Sequence, residues 1–429
     1  MANFASHYDV IIVGAGAAGL AAAHALAPAP LNTLVIEARN RPGGRAHTFS
    51  DPLGPIDMGA GWLHSADRNP LVAVAQKQGL TIDRSPPPWQ KPMPASLYPV
   101  SEQRESWAAM EAYFARVSEA AKAPIDRPAA DCLEPDHRWN AMINTVSSFV
   151  NGVELEGLSV KDFDAYHDTE VNWRLPSGYG AFFADLASAL PIVYDCPVTA
   201  IDHSGAVMRV ETARGTLTTR SVIVTLPTNL LAREVIRFTP ALPDHLSAAA
   251  HLPLGYANKL FLALKGAEEF DPDTRLIGSR DRSATAGYHL RPFGRAMIEV
   301  YFGGALARDI EGEGEAGMAD FAQAELVALL GSGIKARLRL IKASRWASDP
   351  SALGAYSHAK IGYWQQRQIL AAPVAERLFF AGEACSAHDF STVHGAWQTG
   401  RLSARQAARL CQVELGQVEL DQVELEPLD

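Results

Sequence analysis

Cysteine is scarce and unpatterned, with four residues at positions 132, 196, 385 and 411. None forms a C-x-x-C pair or keeps metal-like spacing from a histidine. A disulfide framework and a metal site are therefore not expected, and the thiols read as reduced and buried. A basic surplus is missing too. Lys plus Arg is 38 against 48 Asp plus Glu, a formal net charge of −10, and a nucleic-acid partner is excluded on that balance. Part of the acidity is local, because Gln412 to Asp429 carries six acids and no base. The opening residues lack a basic n-region and a twin arginine, so a cytoplasmic protein is expected. No Asp, Glu, Lys or Arg occurs from Val10 to Ile36. That run has the length of a membrane span, but Gly14, Gly16, Gly19, Pro28, Pro30 and Asn32 interrupt it. No membrane association is expected.

What is present is ordinary for a globular chain: 48% hydrophobic and 20% charged residues, which excludes disorder and collagen-like repeats. The 429 residues suggest two or three domains at about 100–200 residues each. Tyr8 to Val13 is an apolar, β-branched run and reads as a buried parallel strand. Gly14 to Gly19 opens a helix over Leu20 to Leu26, and Thr33 to Glu37 reads as a second strand. This is a βαβ unit. Ser85 to Pro99 carries six prolines and reads as an irregular connection. Trp107, Met110, Phe114 and Val117 keep helical spacing within Ser101 to Ala123, and a second helix follows around Trp139 to Val150. The α/β pattern resumes at Ser177, with a helix to about Leu190 and strands at 192–194, 206–212 and 221–225. The 256–340 stretch should add strands to the inserted region. Leu378 to Leu410 again reads as strand, glycine turn and helix.

The expected fold is α/β and α+β. A Rossmann-like dinucleotide domain is assembled from 1–75, 177–255 and 341–411. A substrate domain of mixed sheet and helices, from 76–176 and 256–340, is inserted into it. The tail, 412–429, repeats Gln-Val-Glu-Leu every five residues, a period of neither helix nor strand, and reads as low-complexity.

The chemistry begins with Gly14-x-Gly16-x-x-Gly19. Gly14 serves the tight turn, Gly16 lets backbone approach a pyrophosphate, and Gly19 lets helix pack on strand. The helix N-terminus offers N–H groups to phosphate. Glu37, closing the next strand, suits a ribose hydroxyl pair and disfavours a 2′-phosphate. Beyond it come Arg39, Gly43, Gly44 and Arg45. A plain NAD domain has no need of this second glycine loop, whereas the longer FAD continues past the first phosphate site and would meet it.

The Glu37-Ala-x-x-Arg-Pro-Gly-Gly-Arg45 run resembles the flavin-containing amine oxidase superfamily (monoamine and polyamine oxidases), and it also occurs in desaturase-like flavoproteins. Asp57 to His64 with Asn69-Pro-Leu resembles a polyamine-oxidase segment. Leu252 to Lys259, Arg345 to Pro350 with Gly354 to Ser357, Leu378 to Glu383, and Thr392 to Gly400 follow in family order. The resemblance implies non-covalent FAD, because Ala355 stands where monoamine oxidases carry the flavin-bonding cysteine. It implies cofactor contacts from Gly14, Gly16, Gly19, Glu37, Arg39, Gly43, Gly44, Arg45, Gly59, Ala60, Gly61, Trp62, Val198, Gly382, Glu383, Thr392, Val393 and Ala396.

The same resemblance places Lys259 on a water near flavin N5, Trp346 beside the ring, and Tyr356 as one wall of an aromatic cage. Thr392 falls where monoamine oxidases put the second wall, leaving a half cage. His64 is a substrate-side candidate. The implied reaction is hydride transfer from a small-molecule amine to flavin N5, hydrolysis of the imine to aldehyde or ketone, and flavin reoxidation by O₂ to H₂O₂. A polyamine-like or simple primary or secondary amine is expected. An amino-acid substrate is disfavoured because Gly61 and Trp62 hold no arginine there, although an arginine elsewhere could substitute. Two other readings stand beside this one: a desaturase acting on C–C bonds of an apolar substrate, and a non-catalytic flavin-bound interaction protein.

Overall fold

The structure is a computed structural model describing residues 7–413 and 415. Most of the acidic repeat lies outside the described residues. The uncharged run divides into the strand Tyr8–Val13 and the helix Ala17–Leu26. The helix begins three residues before Leu20, because Ala17 and Ala18 already continue the turn set by Gly16. Its alanines are small for a packing reason. It lies against the helix Val393–Leu410, and a Cβ on Gly400 would overlap the Ala18 carbonyl.

Five parallel strands lie in the order Ile192–Val193, Thr33–Ile36, Tyr8–Val13, Gly215–Val224 and Leu378–Phe380. Alternating residues of one strand enter opposite cores: Val10 and Ile12 pack on the two helices above, Ile11 and Val13 on the other face. Burial on both faces is why the strand reads as a continuous apolar run. The first half of Gly215–Val224 also pairs antiparallel with Met208–Thr212, and Val198–Asp202 and Arg237–Thr239 extend that edge.

A second, antiparallel sheet runs Thr274–Ile277, Gly287–Leu290, Met297–Gly303, Ala257–Leu264, Leu338–Ala343. Leu260, Leu262, Tyr288, Ile298, Val300 and Phe302 are buried on one face, beneath residues of the helices Gly304–Gly312 and Gly314–Leu330. The expected strands of 256–340 are present, and those helices, not placed individually from the sequence, lie among them. Their apolar positions, Met318, Ala322 and Leu326, do keep helical spacing, but Gly304, Gly312, Gly314 and Gly317 dilute the helical signal. The last strand also crosses the expected boundary at 340. Two more helices, Val100–Ala121 and Asn140–Asn151, form a separate cluster around Tyr113, Trp139 and Ile143. Among the described residues no helix is long and apolar enough to cross a membrane, no cluster of His, Cys, Asp and Glu could hold a metal ion, and all four cysteines are free.

Candidate active site

A cavity of about 880 Å³ is lined by both sheets and by the 100–151 helices. Every candidate residue read from the sequence lines it except Gly19. Gly19 instead packs behind the turn, where a Cβ would overlap the Gly14 carbonyl.

One end is built from backbone. Gly14 takes φ +106°, a conformation suited to glycine. Gly16 caps the first helix without any side-chain hydrogen bond, and a Cβ there would meet nothing within 4 Å. The helix N–H groups therefore face open cavity with no acid in the first turn to compete, a fit for a pyrophosphate. The second glycine loop is stitched to the first by the Gly43 N–H donating to the Ala15 carbonyl at 2.8 Å. Glu37 is buried and accepts from the Ala15 and Arg39 N–H groups at 2.6 and 2.8 Å. Its two oxygens retain lone pairs for ribose hydroxyls. Arg39 pairs with Asp349 at 2.7 Å, and Arg45 with Glu383 at 2.9 Å. Burial opposes the charge of Glu383, yet Arg45 and the Ser357 hydroxyl hold its carboxyl below the usual range. Val198 sits buried at the start of its strand, and Gly59, Ala60, Gly382, Val393 and Ala396 complete the wall.

The other end is built from side chains. Lys259 lies on the second sheet, and its Nζ forms an ion pair with Glu299 at 2.8 Å. It is buried, not a surface lysine, and Gly61 makes room for it: a Cβ there would approach Nζ to 3.2 Å. Burial opposes both charges. Each ion nevertheless favours the other, raising Lys259 and holding Glu299 at about 2. The pair continues outward. Glu299 lies 3.6 Å from His289, which bonds Asp273 at 2.7 Å. Asp273 pairs with Arg174 at 3.0 Å, and Arg174 with Asp83 at 2.7 Å. Trp346 is buried and donates its indole N–H to the Met58 carbonyl at 3.0 Å, its ring set against Gly59.

Tyr356 donates its hydroxyl to the Phe149 carbonyl and meets the Tyr301 hydroxyl at 2.9 Å. Tyr301 stands edge-on to Phe149, with ring centroids 5.6 Å apart. The aromatic companions of Tyr356 are thus Tyr301 and Phe149. Thr392 lines the cavity, but its hydroxyl is engaged as the cap of the last helix, accepting from the Gly395 N–H at 3.0 Å. His64 bonds Asn172 at 2.6 Å, and burial lowers its pKa and favours the neutral ring. Trp62 stacks edge-on against Trp89 at 4.4 Å beneath the Arg174 guanidinium.

Sequence reading missed Glu299, His289, Tyr301, Phe149 and Arg275, all cavity-lining. A signal existed. In Met-Ile-Glu-Val-Tyr-Phe-Gly, residues 297–303, Ile298, Val300 and Phe302 alternate with Glu299 and Tyr301. Such alternation normally marks a solvent face, and nothing local tells water from a cavity.

The residues 101–408 match the model of a family described as flavin containing amine oxidoreductase, and residues 12–77 match an NAD(P)-binding Rossmann-like domain. The chain is 29% identical to polyamine oxidase 4 of Oryza sativa subsp. japonica over 96% of this chain and 91% of that one. It is 28% identical to lysine-specific histone demethylase 1 homolog 2 of Arabidopsis thaliana, covering 94% of this chain and 58% of that one. Among solved structures it resembles cyclohexylamine oxidase from Brevibacterium oxydans, with TM-score 0.76, 19% identity, and coverage of 94% and 99% of the two chains. A putrescine oxidase variant superposes with TM-score 0.77 at 19% identity, covering 95% and 99%.

Proposed function

From the premise that the chain belongs to the flavin-containing amine oxidoreductase family, we propose that it oxidises a primary or secondary amine to an imine, which water hydrolyses to an aldehyde or ketone. It is an FAD-dependent amine oxidoreductase with non-covalent FAD. When bound, FAD would supply the two-electron acceptor for the hydride, with O₂ as the proposed final acceptor and H₂O₂ as its product. The glycine turn with its uncapped helix, Glu37, the Gly43–Arg45 loop and the start of the last helix would hold it.

The observation that carries the reading is Lys259. A buried lysine is held by Glu299, fitted against Gly61, and presented to a cavity whose other end is a dinucleotide cradle. Its ammonium can hold a water and supply positive potential where negative charge develops, in a site from which solvent is largely excluded. Trp346 fixes the wall beside it. Tyr356 and Tyr301 offer ring faces and hydroxyl oxygens to orient the amine, and His64 offers a neutral ring nitrogen to the same cavity. The amine must be uncharged to lose hydride, so flavin reduction should accelerate as pH rises toward the amine's own pKa, about 10 for an alkylamine.

The 100–151 helices turn Trp107, Met110, Phe114, Met142, Val146 and Phe149 toward the cavity. This apolar wall supports a substrate with a hydrocarbon body over a long polycation. The test is anaerobic mixing of the holoprotein with a panel of alkyl, aryl and polyamines while flavin absorbance is followed. Bleaching by one class, reversed by air with formation of H₂O₂, supports the reading. A flavin reduced by dithionite and by no amine overturns it in favour of the desaturase or non-catalytic readings.

A further inference from the structure

Four Lys and Arg side chains line the cavity: Arg39, Arg45, Lys259 and Arg275. Three have carboxylate partners, Asp349, Glu383 and Glu299. Arg275 forms no ion pair among the described residues. Among the described residues the one hydrogen bond of its guanidinium runs to the Trp89 carbonyl at 3.5 Å, the outer limit of such a contact. Burial pulls it down to about 10, so it stays charged at neutral pH. A half-buried guanidinium facing a cavity without a counter-ion carries a desolvation cost, which an anionic ligand would offset.

Its position says where that anion lies. Arg275 is directly opposite His289 in the second sheet, and His289 is opposite Glu299. Lys259 stands one strand further on, on the same face. Three strand spacings separate the two backbones, about 14 Å. The sheet between them turns His289 and Glu299 to the cavity, and the remaining lining includes the apolar and aromatic Trp89, Met93, Trp107 and Phe149. We propose that Arg275 is a distal anion subsite, and that the substrate is an amine joined through a hydrocarbon body to a carboxylate or comparable anion at its far end. This rests on the amine-oxidase reading for what happens at the Lys259 end. The arginine that Gly61 and Trp62 do not supply is thus present, but on a strand three removed from that of Lys259. The same cation would repel the distal ammonium of a diamine or polyamine. The cavity's exposed acid, Asp168, faces the His64 side instead.

The experiment has two arms on the FAD-loaded protein. In the first, octanoate is titrated calorimetrically into the wild type, Arg275→Met and Arg275→Lys, with no oxidation required. Arg275→Met should lose roughly ten- to hundredfold in affinity, the strength of a charged hydrogen-bond pair, and Arg275→Lys should recover part of it. In the second, anaerobic flavin reduction is compared for ω-amino acids, alkylamines and diamines of matched chain length. The wild type should favour the longer ω-amino acids, Arg275→Glu should shift the preference to diamines, and the ranking among alkylamines should not depend on that substitution. Octanoate that does not bind, or binds the wild type and Arg275→Met alike, overturns the subsite, as does a wild-type preference for diamines. Failure of every amine to reduce the flavin would sink the amine-oxidase reading, while the octanoate titration still decides Arg275.

Discussion

The two ends of the cavity are made of different material. At the dinucleotide end, backbone does the recognising: glycines leave space, a helix presents unpaired N–H groups, and side chains such as Glu37 mainly fix the turn. At the end proposed for the amine, glycines only make room, and the lining is long side chains on alternate positions of an antiparallel sheet. In the first kind of site Gly14, Gly19 and Gly43 leave no room for an added atom, whereas Gly16 faces open space. The second keeps its shape through ion pairs and ring contacts, so it can change specificity one residue at a time without changing the fold.

The largest effect expected from breaking this contrast is at Gly19. Gly19→Val places a Cβ on the Gly14 carbonyl and crowds Ile12. Overpacking of this kind should cost about 3 kcal/mol or more, seen as a lower thermal midpoint and protein purified without FAD. Gly16→Ala sharpens the point. Its Cβ meets nothing in the protein, so the thermal midpoint of the apoprotein should hold while FAD affinity falls. Equal loss of stability from both changes would refute the division into a packing glycine and a cofactor glycine.

This difference in material also decides what could be read from the sequence. The glycine turn, its strands and Glu37 were legible because their constraints are local: each residue is dictated by neighbours within about thirty positions. Arg45 to Glu383 spans 338 residues, yet the family resemblance named both ends. Glu299 and His289 had neither advantage. Their meaning depends on which face of a sheet is covered, and that is settled by helices around residues 100–151. Thr392 shows the converse. The resemblance put it where a second cage wall would stand and left that wall open, and the structure shows it lining the cavity with its hydroxyl engaged in capping. Trp107 and Phe114 kept helical spacing with Met110 and Val117, but the stripe divides. Met110 and Val117 are buried, while Trp107 and Phe114 remain 48% and 42% exposed toward the cavity.

At the amine end the largest effect should come from Lys259→Met. It removes a cation from the reacting region and should slow flavin reduction about a hundredfold. It also removes the ion-pair partner of Glu299, a partly buried carboxylate, and should cost up to about 3 kcal/mol of stability at neutral pH. The double variant Lys259→Met with Glu299→Leu should regain most of that stability and none of the rate. If both recover together, Lys259 is structural only. A smaller change is expected from Trp107→Ser. Its ring is half exposed, so the thermal midpoint should barely move, whereas KM for amines with apolar bodies should rise up to about tenfold through lost apolar contact. An unchanged KM would remove the 100–151 helices from the substrate site.

The subtlest test concerns His289, which joins the Lys259 pair to Asp273. Burial alone would lower its pKa, but the hydrogen bond to Asp273 and the charges of the Asp273 and Glu299 carboxylates raise it above the ordinary value. The groups around it are those two carboxylates, themselves paired with Arg174 and Lys259. A histidine whose pKa is raised on folding binds its proton more tightly in the native state. The stability it contributes is therefore fully present below its unfolded pKa of about 6.5, and is lost as pH rises through the folded value. The difference in thermal midpoint between wild type and His289→Gln should be greatest near pH 5 and shrink toward pH 9. Glu299 and Asp273 work in the opposite sense, since their depressed pKa values cost stability only in acid, with Glu299 protonating between about 4.5 and about 2. Measurements above pH 5 thus isolate the histidine. A difference that stays flat or grows with pH would mean that His289 is neutral in the folded protein, and that the carboxylates on either side of it are held by Arg174 and Lys259 alone.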